Sequence, residues 1–292
     1  MLRLTALSPD LLRYFAMFQG NKSLVGYLCT CKILHKQRIR CTLLEPVNYA
    51  QLQNVLFQGF FVSKVIVKSA HADDSLNPAL LQGVKWISIV NANTSPYYPT
   101  GFRPRHFIPK LPNSISGVTL SFNPRLLCLD FRFLPTKLAR LKLGAGFNQS
   151  LLFSKLPAAL THLRFGDEFN MRLFSAVLPN SITHLHFGSR FSSELTAQNL
   201  PTQLQRLTRT NLSYSYDDFS QQKYLTHLSL NCPAEQAISN LRLPPSLTHL
   251  SLGVHFNSSL QDLPNHIISV KIAVNVAYEH YEMIALSRVH FY

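Results

Sequence analysis

The sequence predicts a β-rich solenoid of parallel strands with repeats of about 22 residues, preceded by a small helical head. Three observations carry that prediction. First, a motif centred on a proline recurs at Pro112, Pro135, Pro157, Pro179 and Pro201, at Gln222 where proline is replaced, and at Pro244 and Pro264; the steps are 23, 22, 22, 22, 21, 22 and 20 residues. A fixed short period of this kind is the signature of stacked repeats. Second, each copy carries a short run of alternating apolar and polar residues, as in Leu163-Arg164-Phe165, and period two means a strand with one face buried. Third, a unit of about 22 residues holds a strand, a corner and a return leg but no long helix.

The best copies read L-P-x-x-L/I-T-H-L-x-F/L-G-x-x-F-N-x-x-L. Stacked in parallel, Leu163 and Phe165 are expected to bury against Leu185 and Phe187 of the next turn, because one repeat has too little core to fold alone. Gly144, Gly166, Gly188 and Gly253 stand where the chain turns away from the strand, a place suited to a residue without Cβ. Phe147, Phe169, Phe191 and Phe256 follow three residues later as an expected aromatic spine. Asn148, Asn170 and Asn257, with Ser192 in one copy, are expected to bond the main chain of their own and the adjacent turn. The prolines of the return leg argue against helix there.

The string LPPSLTHLSLGVHFN, Leu243 to Asn257, resembles the FNIP repeat, a relative of leucine-rich repeats. The resemblance is clear over residues 111–263 and weak on both flanks. The namesake tetrapeptide is not intact, since Gln149, Met171 and Ser258 follow the corner asparagines. The resemblance implies a leucine-rich-repeat-like solenoid over residues 59–292.

Residues 1–45 do not repeat. Ser8 and Pro9 can open a helix with Leu11, Leu12, Phe15 and Phe18 at helical spacing. A second helix places Leu24, Tyr27, Leu28 and Cys31 on one face, and a third covers residues 33–43. The pattern Leu7, Pro9, Asp10, Leu11, Leu12, Phe15, then Leu24, Tyr27, Cys31 and Lys32, resembles an F-box, with Leu34 where a tryptophan often stands. That resemblance implies a head in which Leu7, Pro9, Leu11, Leu12, Phe15 and Leu24 bury against a Skp1-type adaptor of a cullin ubiquitin ligase.

Residues 46–58 read as a joint. Two worn strands, Val62 to Val67 and Val84 to Ile89, are again 22 apart. The spacing then stretches by about nine residues, so that Ser95-Pro96-Tyr97-Tyr98-Pro99 with Arg103, Arg105 and His106 must loop out; an insert of this kind is either a binding loop or a tolerated surface loop. In the copy at Leu204, Arg209 occupies the slot of Phe165, and Tyr214, Tyr216, Asp217 and Asp218 replace the corner, marking a distorted turn or a partner-specific feature. The last strand is expected at residues 286–291.

Once Leu163 and Phe165 face inward, the outward positions follow from the alternation. They include Arg140, Lys142, His162, Arg164, His184, His186, Arg206, His227, His249 and Lys271, and none of the outward positions is acidic. Lys and Arg number 28 against 14 Asp and Glu, a formal charge of +14, so part of the excess lies on this one face. The face suits an acidic or phosphorylated protein client, or alternatively nucleic acid. The histidine column also has a plain reading, copying of a structural residue by repeat duplication.

Phosphate loops of the G-x-x-x-x-G-K and G-x-G-x-x-G types are absent, as are H-E-x-x-H and G-x-S-x-G, and carboxylates are scarce. No enzyme activity, cofactor or metal is expected, since a flat ladder of imidazoles such as His162, His184 and His186 seldom offers tetrahedral geometry. The acidic pairs Asp167-Glu168 and Asp217-Asp218 read as solvated corner residues. No apolar run reaches the ~20 residues of a membrane span, and the opening MLRLTALSPDLL lacks the pattern of a signal peptide. Five cysteines without a C-x-x-C pair point to reduced thiols in an intracellular protein, cytoplasmic or nuclear.

Overall fold

The structure is a computed structural model describing residues 42–43, 47–48, 61–69, 77–91, 111–121, 131–152, 154–211, 217–231, 241–256, 259–261, 263–273 and 289–291. Residues 1–41 of the helical head, with Leu7, Pro9, Leu11, Leu12, Phe15 and Leu24, and the insert from Ser95 to His106, lie outside the described residues; Thr42 and Leu43, expected at the end of the third helix, form a strand instead because they pair in parallel with Phe61 and Val62.

The described strands are β1 (Thr42–Leu43), β2 (Val47–Asn48), β3 (Phe61–Val62), β4 (Lys64–Ser69), β5 (Trp86–Asn91), β6 (Gly117–Ser121) and β7 (Arg140–Leu143), then β8 (His162–Arg164), β9 (His184–Phe187), β10 (Arg206–Arg209), β11 (His227–Leu230), β12 (His249–Leu252), β13 (Ser269–Ile272) and β14 (Val289–Phe291). Strands β4 to β14 pair in sequence order, with β2 beyond β4, in one sheet of 12 strands; β1 and β3 form a separate pair. Every pairing is parallel, so the chain advances one strand per repeat.

The pairing crosses the insert without slipping: Trp86 lies opposite Gly117 and Ile87 opposite Val118, 31 positions apart where the neighbouring repeats use 22 or 23. A slip of one residue would send the inward set Val118 and Leu120 to the solvent side, so burial of that set holds the register.

The worn strands start two residues later than the sequence suggests, at Lys64 and Trp86. Val84 belongs to the turn that enters the core, with its N–H donated to the Leu81 carbonyl at 3.1 Å. The same turn recurs in the clear repeats. The N–H of Leu160 donates to Pro157 O at 3.1 Å, that of Ile182 to Pro179 O at 3.1 Å and that of Leu247 to Pro244 O at 3.1 Å. Proline contributes a carbonyl and a preset φ here, and Gln222 supplies the same carbonyl to Leu225 N at 3.3 Å, so the missing proline leaves the turn intact.

Inside, Phe165 packs on Phe169 with ring centroids 4.0 Å apart, and Phe187 on Phe191 at 4.0 Å, while Phe147, Phe169 and Phe191 stack turn on turn at 5.9 and 5.8 Å. The corner asparagines bond along the stack as expected: Asn170 N donates to Asn148 Oδ1 at 2.9 Å, and Ser192 N to Asn170 Oδ1 at 2.9 Å. The glycine column has a different cause from the one the sequence suggests. Gly166 and Gly188 have no positive φ; a Cβ on Gly166 would overlap the Gly144 carbonyl, and one on Gly188 the Gly166 carbonyl. Close approach of successive backbones, and not the turn itself, excludes a side chain there.

At Arg209 the strand itself is regular, since β10 keeps full register with β9 and β11, while the corner with Tyr214 and Tyr216 lies outside the described residues. One further expectation is corrected. Asp217 is not a solvated corner acid: it is 5% exposed and bonds Arg209 Nη1 at 2.7 and 2.5 Å.

Candidate interaction face

Alternation and register together build the outer strand face as two rows. The first runs Lys64, Trp86, Gly117, Arg140, His162, His184, Arg206, His227, His249 and Ser269; the second runs Ile66, Ser88, Thr119, Lys142, Arg164, His186, Thr208, Ser229, Ser251, Lys271 and His290. All ten face residues named from the sequence lie in these rows, and no carboxylate does. Adjacent members are ~4.8 Å apart across strands, so the face is a regular ladder.

The ladder is not uniform. At one end Gly117 leaves room for its neighbour: the six-membered ring of Trp86 occupies the space that a Cβ at 117 would take, and the indole N–H donates to Thr119 Oγ1 at 3.2 Å. Next to it, Arg140, Lys142 and Arg164 are exposed, and among the described residues none of the three is in an ion pair. At the other end, Arg206, Thr208, His227, Ser229, His249 and Lys271 contribute to the lining of an open groove of about 730 Å3. The face thus passes from an indole, through a cationic patch, to a groove of imidazoles and hydroxyls with one cation on each side.

The histidines have a structural support that the sequence reading named without explaining, the threonine of T-H. Thr161 Oγ1 donates to Ala139 O of the preceding turn at 3.0 Å and lies 2.9 Å from His162 Nδ1. Thr183 bonds Thr161 O at 3.2 Å and His184 Nδ1 at 2.9 Å; Thr226 with His227 and Thr248 with His249 repeat the arrangement. A hydroxyl has one hydrogen, and it goes to the carbonyl, so Oγ1 accepts from Nδ1–H. Donor counting therefore assigns the Nδ1–H tautomer and leaves Nε2 as an acceptor. The rings then stack, His162 on His184 at 4.1 Å and His227 on His249 at 4.3 Å.

Charge follows from the same packing. Burial, with Arg140 beside it, lowers the pKa of His162; burial lowers that of His184, helped by His162 and Arg206. His227 is lowered by burial, Arg206 and His249, and His186, beside Arg164 with Lys142 one strand further on, is pushed down to about 4, chiefly by burial. At neutral pH these four rings are uncharged, so Arg140, Lys142, Arg164, Arg206 and Lys271 supply the positive potential of these strands and the rings supply acceptors. Among the described residues no group of three or more His, Cys, Asp or Glu side chains is placed to hold a metal ion, and no described helix is long and apolar enough to cross a membrane.

Comparison with known proteins agrees with this architecture. The FNIP repeat profile matches residues 128–168, 147–182 and 169–208. Among solved structures, the crystal structure of CroV588, described as a novel circular LRR protein structure, superposes with a TM-score of 0.52 at 25% identity, over 86% of this chain and 39% of that chain. The present chain therefore spans about two fifths of that protein's length. No curated protein sequence matches the chain. The chain is a leucine-rich-repeat-like parallel solenoid with FNIP repeats, an architecture of the interaction-scaffold type.

Proposed function

We propose that this chain is an intracellular, non-catalytic interaction scaffold that recruits a client to a ubiquitin ligase. In this reading the outer strand face binds an acidic segment of the client protein, bearing carboxylates or phosphates. The F-box-like residues Leu7, Pro9, Leu11, Leu12, Phe15 and Leu24 dock a Skp1-type adaptor in the cytoplasm or nucleus. The observation that carries the client half is the in-register ladder of Arg140, Lys142, Arg164, Arg206 and Lys271 without a carboxylate in either row. A continuous field of one sign steers and holds a ligand of the other. The adaptor half rests on the resemblance of residues 1–45.

The test is a pull-down from eukaryotic lysate with the intact chain and with Leu11→Glu, Leu12→Glu, probed for the adaptor and the cullin. Capture by the intact chain and loss in the variant is expected; absence from both lanes, with both proteins folded, sinks the ligase reading and leaves the scaffold alone. Uncompensated cations also suit nucleic acid. Salt separates nucleic-acid binding from adaptor docking, since affinity for a phosphate backbone falls linearly in log–log form with a slope near −0.7 per phosphate neutralised for single strands, whereas a contact dominated by apolar anchors is much flatter.

A further inference from the structure

The division of the strand face into a cationic patch and a nearly neutral groove narrows the ligand, on the reading that the face binds an acidic client segment. We infer that the face takes an extended protein segment carrying a phosphomonoester, with the phosphoryl group at Arg140, Lys142 and Arg164 and the uncharged residues beside it in the groove over His227 and His249.

Three cations close together are the first support. Arg140 and Lys142 are two positions apart on β7, a separation of ~6.8 Å, and Arg164 is the cross-strand neighbour of Lys142, ~4.8 Å away. Among the described residues none of them pairs with an acid, although acids elsewhere are taken up by partners: Glu168 by Arg190 at 2.6 Å and Asp218 by Arg242 at 3.3 Å. Asp167, the carboxylate felt by His186, holds the amide of Ser189 at 3.3 Å. Like charges left together without a counter-ion destabilise the folded state, and a single carboxylate neutralises one of three. A phosphomonoester brings nearly two charges and three acceptor oxygens, which two guanidinium forks and an ammonium can share.

The groove supplies the second support. From β10 to β13 the only cations along the described rows are Arg206 and Lys271 at its two sides. Between them lie imidazole Nε2 acceptors and hydroxyls, which suit the backbone N–H groups and polar side chains of an uncharged peptide and give a uniformly charged polyanion no cation between Arg206 and Lys271. Arg164 on β8 and His249 on β12 are four strand spacings apart, ~19 Å, which an extended chain spans in about six residues. A nucleic acid strand, charged at every unit, matches the patch but not the groove.

The experiment measures fluorescence-anisotropy binding of the full chain to pools of peptides of about twelve residues with randomised flanks, carrying at one fixed position phosphoserine, glutamate or serine, and to a single-stranded oligonucleotide. Expected is binding of the phosphoserine pool at least about tenfold tighter than the glutamate pool, lost about tenfold in Arg140→Ala, Lys142→Ala, Arg164→Ala. The charge-matched control Lys137→Ala, Lys155→Ala, Lys223→Ala removes three cations from outside the two rows and should leave affinity within about threefold. Ser229→Arg, which fills the groove, should weaken the full-length peptides and spare ones truncated before the groove. Equal binding of glutamate and phosphoserine pools, both lost in the patch variant, overturns the phosphoryl assignment while leaving the acidic-client reading standing. Equal effects of the patch and control triples overturn the placement, and insensitivity of long peptides to Ser229→Arg overturns the groove. Tight oligonucleotide binding with no peptide binding, or no binding of any probe, overturns both this inference and the reading it rests on.

Discussion

The turns of β8 and β9 and the turn of β10 fill the same inner slot with opposite chemistry. In the first two the slot holds Phe165, directly after β8, or Phe187, the last residue of β9, each stacked at 4.0 Å on a corner phenylalanine. In the third the strand ends in Arg209, 2% exposed, held by Asp217 eight residues on, with a further bond from Nη2 to Phe191 O at 3.4 Å and its guanidinium 5.4 Å from the Phe191 ring centroid. Asp217 also accepts the Leu195 amide at 2.8 Å, so the carboxylate ties the turn of β10 to that of β9. Yet the outward residues Arg206 and Thr208 stay in line with His184 and His186. The contrast teaches that ladder register, set by backbone pairing and the aliphatic column Leu163, Leu185, Leu207, Leu228, is insulated from what fills the end of the core. The buried ion pair is accommodated because Asp217 takes two bonds from Nη1 and one from the Leu195 amide while Phe191 O takes one from Nη2, and its net worth relative to an apolar pair is small or negative.

The largest test of that contrast is Asp217→Ala. It strands a buried guanidinium and should cost about 3–5 kcal/mol in chemical denaturation, whereas Arg209→Phe with Asp217→Asn, which restores the aromatic slot and keeps the acceptor for Leu195 N–H, should be neutral or stabilising by ~1–4 kcal/mol. A double variant as damaged as the single one would mean that the pair does more than fill the slot. Next, Phe169→Ala in the aromatic turns should cost roughly 3 kcal/mol or a little more by the same measurement, since the cavity opens against rings on both neighbouring turns. Thr183→Val removes a bond to Thr161 O and the acceptor for His184 Nδ1–H, and should cost about 1 kcal/mol. Its sharper readout is the 15N shifts of His184, which should lose the single-tautomer pattern while those of His227 keep it.

The last test is of pH dependence. His186 has its pKa lowered from 6.5 to about 4, and those of His162, His184 and His227 are lowered too. A folded-state pKa below the unfolded one means that the unfolded chain takes up protons first as pH falls. Stability from this source is therefore complete above pH 6.5 and is lost as pH falls from there toward about 4. His186→Gln should flatten that slope in thermal melts taken across the window, and an unchanged slope would remove His186 from the account.

How much of this could be read beforehand differs by residue. The two outer rows were legible because alternation is strictly two and the repeat hardly varies, so naming Leu163 as inward names Arg140, His162 and His184 as neighbours. The role of Thr161 and Thr183 was not, because a hydroxyl beside a histidine in sequence does not reveal that its hydrogen goes to a carbonyl 22 residues back. Gly166 was legible as special but for the wrong reason, since close approach of two turns leaves no trace in local turn chemistry. Arg209 was visible as an exception; its partner was not, because Asp217 stands eight positions further on, past residues whose sequence matches no other copy of the repeat, and either of two adjacent acids could have answered it.

By itself the sequence determined period, alternation and the absence of acids along one face, since all three are one-dimensional properties that parallel stacking translates directly into rows. Tertiary structure alone decided which charges survive on that face. Burial, helped by neighbouring cations, lowers the pKa values of His162, His184, His186 and His227, while Arg140, Lys142 and Arg164 find no acid among the described residues. Protonation and ion pairing depend on what lies within a few ångströms, and in a solenoid those neighbours come from turns 22 or more residues away.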